Sequence, residues 1–337
     1  MNVYNSLQQP HRPYSNARPS WRNISGEIHK SLMELQQLNY LNLSWNTFPG
    51  RGIPDFLASL SNLRYLDLSN SYIGGKIPTQ FGSLSHLKNL NLASNYLEGS
   101  IPRQLGNLSQ LQHRDLSINH FEGNIPSQIG NLSNLQKLYL GRYYDDGGAL
   151  KIDDGDDWLS NLISLTHLSL YSISNLNSTS HSCLQMIVKL PKLRELSLID
   201  CSLSDHLILS LRPSEFNFSS SLSIPHLSWN SFTSSMILQW LSFMNVCSLH
   251  SLYMQYNNLS EDLPSILHNL SSGCVRHSLQ DLDLTSNQIP GSLPDLSVFS
   301  SLKTLDLSYN QLSGNIPEGL GLPFHLESLS IRSNSLE

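Results

Sequence analysis

The chain has 337 residues, a formal net charge of −6 and only 14% charged residues, against roughly 25% in an average soluble protein. Serine and asparagine carry the polarity instead, and there is no basic footprint for nucleic acid. No window reaches the roughly 18 unbroken apolar residues of a membrane-spanning helix. The nearest approach, Met236 to Val246, is interrupted by Gln239, Ser242 and Asn245.

Residues 1–23, MNVYNSLQQPHRPYSNARPSWRN, are irregular and lack the apolar stretch of a signal peptide. From Ile24 onward the chain repeats itself. LKNLNLASNYLEGSIPRQLGNLSQ, from Leu87, is followed directly by LQHRDLSINHFEGNIPSQIGNLSN. The leucine that opens each LxxLxL recurs twelve times, at Leu38, Leu63, Leu87, Leu111, Leu135, Leu165, Leu193, Leu222, Leu249, Leu279, Leu302 and Leu326. Steps of about 23 to 30 residues with this pattern are those of leucine-rich repeats.

In each LxL the leucines point one way and the intervening residues the other, which predicts a short half-buried strand. Stacking one strand per repeat predicts an α/β solenoid with a parallel sheet on a concave face. The expected organisation is an N-terminal segment, 1–23, then about twelve repeats over 24–337 with an irregular insertion at 141–158. The asparagine that ends LxxLxLxxN (Asn46, Asn95, Asn119, Asn230, Asn257, Asn287, Asn310, Asn334) is expected to form a structural ladder. There its amide would satisfy backbone groups where the chain leaves the strand. Serine, tyrosine, isoleucine and cysteine replace it at Ser71, Tyr143, Ile173 and Cys201.

Two residues break the inward pattern, Arg114 and Pro225. A buried arginine needs a partner or a route to solvent, and nothing near Arg114 in the sequence offers either. The insertion GRYYDDGGALKIDDGDDW is rich in acid, but its spacing does not fit a calcium loop, and it reads as a solvated extension of one coil. The four cysteines, Cys183, Cys201, Cys247 and Cys274, permit three pairings. Without a CxxC they do not form a zinc ribbon.

The outward residue of each LxL reads Asn42, Asp67, Asn91, Asp115, Tyr139, Ser169, Ser197, His226, Tyr253, Asp283, Asp306 and Ser330. The Asn/Asp run gives way in repeats five to nine, which are also the longest. Aromatic and cationic residues gather there, and the candidate ligand face is Tyr139, Arg142, Tyr143, Tyr171, His226, Trp229, Tyr253 and Tyr256. Such side chains on a rigid sheet suit recognition. His226 has no nucleophile or carboxylate placed beside it by any catalytic motif, and no kinase pattern is present. The reading is a binding protein, not an enzyme, with no cofactor and no metal. Candidate N-glycosylation sequons fall at Asn107, Asn131, Asn177, Asn217, Asn258 and Asn269, with Asn107 and Asn131 on the outer side.

The second half of each repeat, LxGxIPxxLGxLxxL, appears in GGKIPTQFGSL, GSIPRQLGNL, GNIPSQIGNL and GNIPEGLGLP. It is similar to the plant-specific class of extracellular leucine-rich repeats. With SGEIHKSLMELQQLNYLNLSWNTF, LPKLRELSLIDCSLSD and SSMILQWLS, the chain resembles plant receptor-like proteins of the fungal xylanase-elicitor receptor type. The resemblance implies a glycosylated ectodomain outside the plasma membrane, a microbial elicitor or apoplastic peptide as ligand, and a co-receptor kinase. Such proteins also carry a signal peptide, cysteine-paired caps and a membrane helix, so the chain is expected to be a piece of a longer protein. The alternatives are a soluble inhibitor resembling polygalacturonase-inhibiting proteins, a receptor-kinase ectodomain fragment, or a gene fragment without function.

Overall fold

A computed structural model describes residues 24–50, 52–142, 150–153, 157–176, 184–187, 189–206, 221–234 and 247–337. The LxL segments form the strands β1 (Tyr40–Asn42), β2 (Tyr65–Asp67), β3 (Asn89–Asn91), β4 (His113–Asp115), β5 (Lys137–Gly141) and β6 (His167–Tyr171). They continue as β7 (Glu195–Ile199), β8 (Ile224–His226), β9 (Ser251–Tyr253), β10 (Asp281–Asp283), β11 (Thr304–Asp306) and β12 (Ser328–Ser330). All twelve lie in one parallel sheet in chain order, so the repeats stack as a solenoid.

The register aligns inward leucines along the stack, Leu66 with Leu90 and Leu282 with Leu305, and all four are buried. Each contributes on the order of 1.5–3 kcal/mol, collected only when neighbouring coils cover it. Opposite the sheet run short 3-10 helices, including Thr79–Ser83, Arg103–Asn107 and Ser127–Asn131. Pro78, Pro102 and Pro126 precede them with φ between −62° and −67°, the angle that the proline ring imposes. These turns stack so closely that a Cβ on Gly106 would lie 2.3 Å from the Gln128 carbonyl oxygen.

The asparagines at the strand exits bridge coils. Asn95 Nδ2 donates to the carbonyls of Leu68, Leu92 and Ala93, and its Oδ1 accepts from the backbone of Ser71 and Ile73. Asn119, Asn230, Asn257, Asn287, Asn310 and Asn334 each donate to a carbonyl of the preceding coil as well as to their own. Asn46, in the first coil, donates to Leu43 and Ser44 and accepts from Ile24. Where the ladder residue differs, Ser71 Oγ donates to Leu43 O and Cys201 Sγ to Leu170 O. Either side chain supplies one donor in place of the amide's two.

Arg114 sits in β4 between Leu90 and Leu138 and has no exposed surface. Its Nε, Nη1 and Nη2 have no hydrogen-bond partner among the described residues, and burial lowers its pKa to about 9. Cys247 is bonded to Cys274 across 27 residues. The bond ties the turn before β9 to the junction of α1 (Leu263–Ser271) and α2 (Val275–Ser278). Cys183 lies outside the described residues.

Candidate ligand-binding face

Three outward rows run along the concave sheet. The middle row separates two kinds of coil. In six of them its Asn or Asp turns back on its own chain. Asn42 Oδ1 accepts from the Ser44 N–H, Asp67 from Ser69, Asn91 from Ala93, Asp115 from Ser117, Asp283 from Thr285 and Asp306 from Ser308, at 2.9–3.1 Å. These are Asx turns that close the strand exit. Asp67 also takes the Ser69 hydroxyl at 2.7 Å, and the Asn91 amide and Tyr65 hydroxyl at 3.2 Å. The sequence signal for this device is Asx-Leu-Ser/Thr, present in most of these coils.

Tyr139, Ser169, Ser197, His226 and Tyr253 interrupt the device. The strands β5, β6 and β7 then run for five residues instead of three. Gly141, at φ +125°, allows the adjacent strand to approach: a Cβ there would lie 2.0 Å from the Tyr171 carbonyl oxygen. In this interval the middle row carries side chains with no turn to close.

Tyr139 is half-buried, in register with Asp115 and Ser169. Burial and then the negative charge of Glu195 and Asp115 push its phenol pKa up, so it stays a neutral hydrogen-bonding group. Tyr171 is half-buried at the end of β6 beside Gly141. His226 packs against Tyr253 with ring centroids 5.1 Å apart. Its Nε2 is shielded and has no hydrogen-bond partner among the described residues. Burial lowers its pKa to about 4, leaving a neutral imidazole near pH 7.

One expectation for the face needs correction. Arg142 is buried, with 6% of its surface exposed. It directly follows Gly141, the last residue of β5, and its N–H donates to the Tyr171 carbonyl at 3.3 Å. Trp229 and Tyr256 lie beyond the middle row, as their spacing from His226 and Tyr253 implies. They stand at the sheet's exit edge in left-handed backbone, φ 59° and 55°, stacked at 4.0 Å. Tyr143 lies outside the described residues.

Between the His226–Tyr253 pair and the Trp229–Tyr256 pair runs a polar chain that the sequence did not announce. The Ser228 hydroxyl donates to Gln255 Oε1, and Gln255 Nε2 donates to Asp283 Oδ2 at 2.5 Å. On the opposite row His167 Nε2 lies 3.1 Å from Glu195 Oε1. These contacts hold rings and amides in fixed places, which lowers the entropic cost of binding. Among the described residues, no three His, Cys, Asp or Glu side chains gather as metal ligands. No helix there is long and apolar enough to cross a membrane.

Of the sequons, Asn107 and Asn131 are exposed at the ends of convex 3-10 helices, and Asn258 is exposed on the flank. Asn269 is half-buried on α1. Asn177 and Asn217 lie outside the described residues.

A parallel-sheet solenoid with an open polar and aromatic face is the architecture of a leucine-rich repeat receptor ectodomain. The chain matches the leucine-rich repeat region family over residues 20–319 and belongs to it. It is similar to the receptor-like protein EIX1 of Solanum lycopersicum, 31% identical over 268 residues, covering 78% of this chain and 19% of that one. A second tomato protein, the receptor-like protein EIX2, is 48% identical over 48 residues, 14% of this chain and 5% of its own length. The chain thus spans a minor part of the curated relatives it matches.

Among solved structures, a TDR receptor superposes with a TM-score of 0.65 at 27% identity, over 93% of this chain and 50% of the receptor. The Arabidopsis receptor kinase HAESA, in complex with the peptide hormone IDA and the co-receptor SERK1, gives 0.64 at 27%, over 93% and 49%. The plant peptide hormone receptor RGFR1 with RGF2 gives 0.63 at 25%, over 93% and 50%.

Proposed function

We propose that this chain is the ligand-binding part of a plant cell-surface receptor-like protein, facing the extracellular side. It recognises a microbial elicitor or an apoplastic peptide in defence signalling, and binds without catalysis. The parent protein passes the signal on with a co-receptor kinase. The observation that carries this reading is the interval of five coils in which the middle row gives up its turn-closing Asn or Asp for Tyr139, Ser169, Ser197, His226 and Tyr253. A scaffold has no use for rings in those places, whereas a partner does. The resemblance to xylanase-elicitor receptors favours an elicitor, the likeness to the receptor-like protein EIX1 favours a receptor-like protein, and the HAESA complex offers a precedent for a peptide with a co-receptor. Glycans at Asn107, Asn131 and Asn258 leave the concave rows clear.

The test is binding of the secreted full chain to a fungal xylanase, followed by biolayer interferometry. Tyr139→Ala and Tyr253→Ala should each weaken it about ten-fold, the loss typical of an interface hot spot. Absence of binding, or an affinity untouched by both changes, contradicts the reading.

A further inference from the structure

One column on the edge of the face is a stack with a place missing. Trp229, Tyr256, Ser286 and Tyr309 occupy the same position in consecutive coils, with φ of 59°, 55°, 56° and 56°. Each N–H donates to the carbonyl of the next strand's neighbouring residue, Gln255, Thr285, Ser308 and Arg332, at 2.9–3.0 Å. Equal backbone geometry sends the four side chains off in the same direction from the chain. Trp229 and Tyr256 fill their places as stacked rings. Tyr309 is 46% exposed, and the guanidinium of Arg332, from the following coil, lies 5.1 Å from its ring centroid. At Ser286 a small hydroxyl stands where its neighbours carry rings.

Parallel strands lie about 4.8 Å apart, so the Tyr256 and Tyr309 positions are separated by two steps, about 10 Å. A planar group needs about 3.5 Å on each face, about 7 Å in all, so there is room for one such group above Ser286, stacked on one of the two rings. Charge selects which group. Asp283 and Asp306 lie three residues upstream of Ser286 and Tyr309, and strands β7 to β12 contain no lysine or arginine. Lys303 stands just before β11, and Arg332 is already on Tyr309. A guanidinium is flat, cationic and weakly hydrated, and it stacks on aromatic faces.

We propose that the gap above Ser286, walled by Tyr256 and Tyr309, seats an arginine side chain of the partner protein or peptide. The proposal rests on the ligand-binding reading above and specifies one contact within it. The stack then runs ring, ring, guanidinium, ring, guanidinium along the edge of the sheet, with Asp283 and Asp306 supplying the opposing charge.

The test is saturation-transfer NMR on the full chain with three capped tripeptides, acetyl-Gly-X-Gly-amide, where X is arginine, citrulline or phenylalanine. Citrulline keeps the planar shape and removes the charge. The arginine side-chain signal should exceed the citrulline signal about three- to five-fold, the range of an exposed cation–π contact. Ser286→Tyr should abolish it. That variant places in the gap the same residue that Tyr256 and Tyr309 already are at the same φ, so it keeps the melting temperature. Equal signals from arginine and citrulline, a stronger phenylalanine signal, no signal from any peptide, or a signal that survives Ser286→Tyr each overturns the proposal. The xylanase experiment reports separately. Binding there that depends on Tyr139 and Tyr253, with no arginine signal here, removes the slot and leaves the receptor reading; the converse removes the reading and leaves the slot.

Discussion

Coils two to four and coils five to nine are built on the same LxL strand but use their outward side chains differently. In the first group Asp67, Asn91 and Asp115 fold back on the next backbone N–H and close each turn. In the second group tyrosine, serine and histidine occupy that row, three strands lengthen, and Gly141 admits the neighbouring backbone. The regular coils close each exit turn on their own chain and repeat about every 24 residues. The irregular ones, in place of that turn, carry ties of their own between coils: the His167–Glu195 pair, the Ser228–Gln255–Asp283 chain and the Cys247–Cys274 bond. Side chains freed from turn closure are those of the proposed ligand face.

The strongest way to break this contrast is Arg114, which spoils the regular block. An uncompensated buried charge at an inward leucine position opposes folding, so Arg114→Leu should stabilise the chain by roughly 3–5 kcal/mol, read as a shift in urea midpoint at unchanged slope. The effect should depend on pH. The unfolded chain keeps the proton to far higher pH, as an ordinary guanidinium does, while burial makes the folded one release it near 9. Between those limits the unfolded state binds more protons, so stability rises with pH. The gap between wild type and Arg114→Leu should therefore narrow above pH 9. A constant gap would mean that the guanidinium is solvated.

The disulfide sharpens the contrast from the other side. Closing 27 residues restricts the unfolded chain by about 3.5 kcal/mol. Cys274→Ser should lower the urea midpoint accordingly, with hydrogen exchange rising first around α1 and β9 and hardly at all in β2 to β4. Uniform exchange along the solenoid would show that the bond has no local role.

The fold was legible because its cause is local. A leucine every second residue, an asparagine at the exit and a Gly-x-Ile-Pro turn each dictate nearby geometry, and stacking follows from their period. The position of Arg114 could be read the same way, as an inward place. The site was legible only in part. Tyr139, His226 and Tyr253 stand where the row of outward residues put them. Arg142 did not: it lies just past the end of β5 and is buried, and alternation along a strand says nothing of a residue beyond the strand's last pair. The stacking of Trp229 on Tyr256 needed the left-handed turn, which alternation does not encode. The asparagines and aspartates of the middle row looked like surface; their role lay in the serine or threonine two residues on. The cysteine pairing could not be derived from spacing, since three arrangements were equally open and coil lengths differ there.

The central claim is that one row of the sheet is structural in the regular coils and free in the irregular ones. The most direct measurement is thermal unfolding of Asp67→Ala and Tyr139→Phe side by side. Asp67→Ala removes hydrogen bonds from the Ser69 N–H and hydroxyl, the Asn91 amide and the Tyr65 hydroxyl and should cost about 2 kcal/mol. Tyr139→Phe keeps the packing of the half-buried ring, removes a hydroxyl that closes no turn, and should leave stability within about 0.5 kcal/mol. A Tyr139→Phe variant that melts as low as Asp67→Ala, or an Asp67→Ala variant that melts like wild type, would contradict the account.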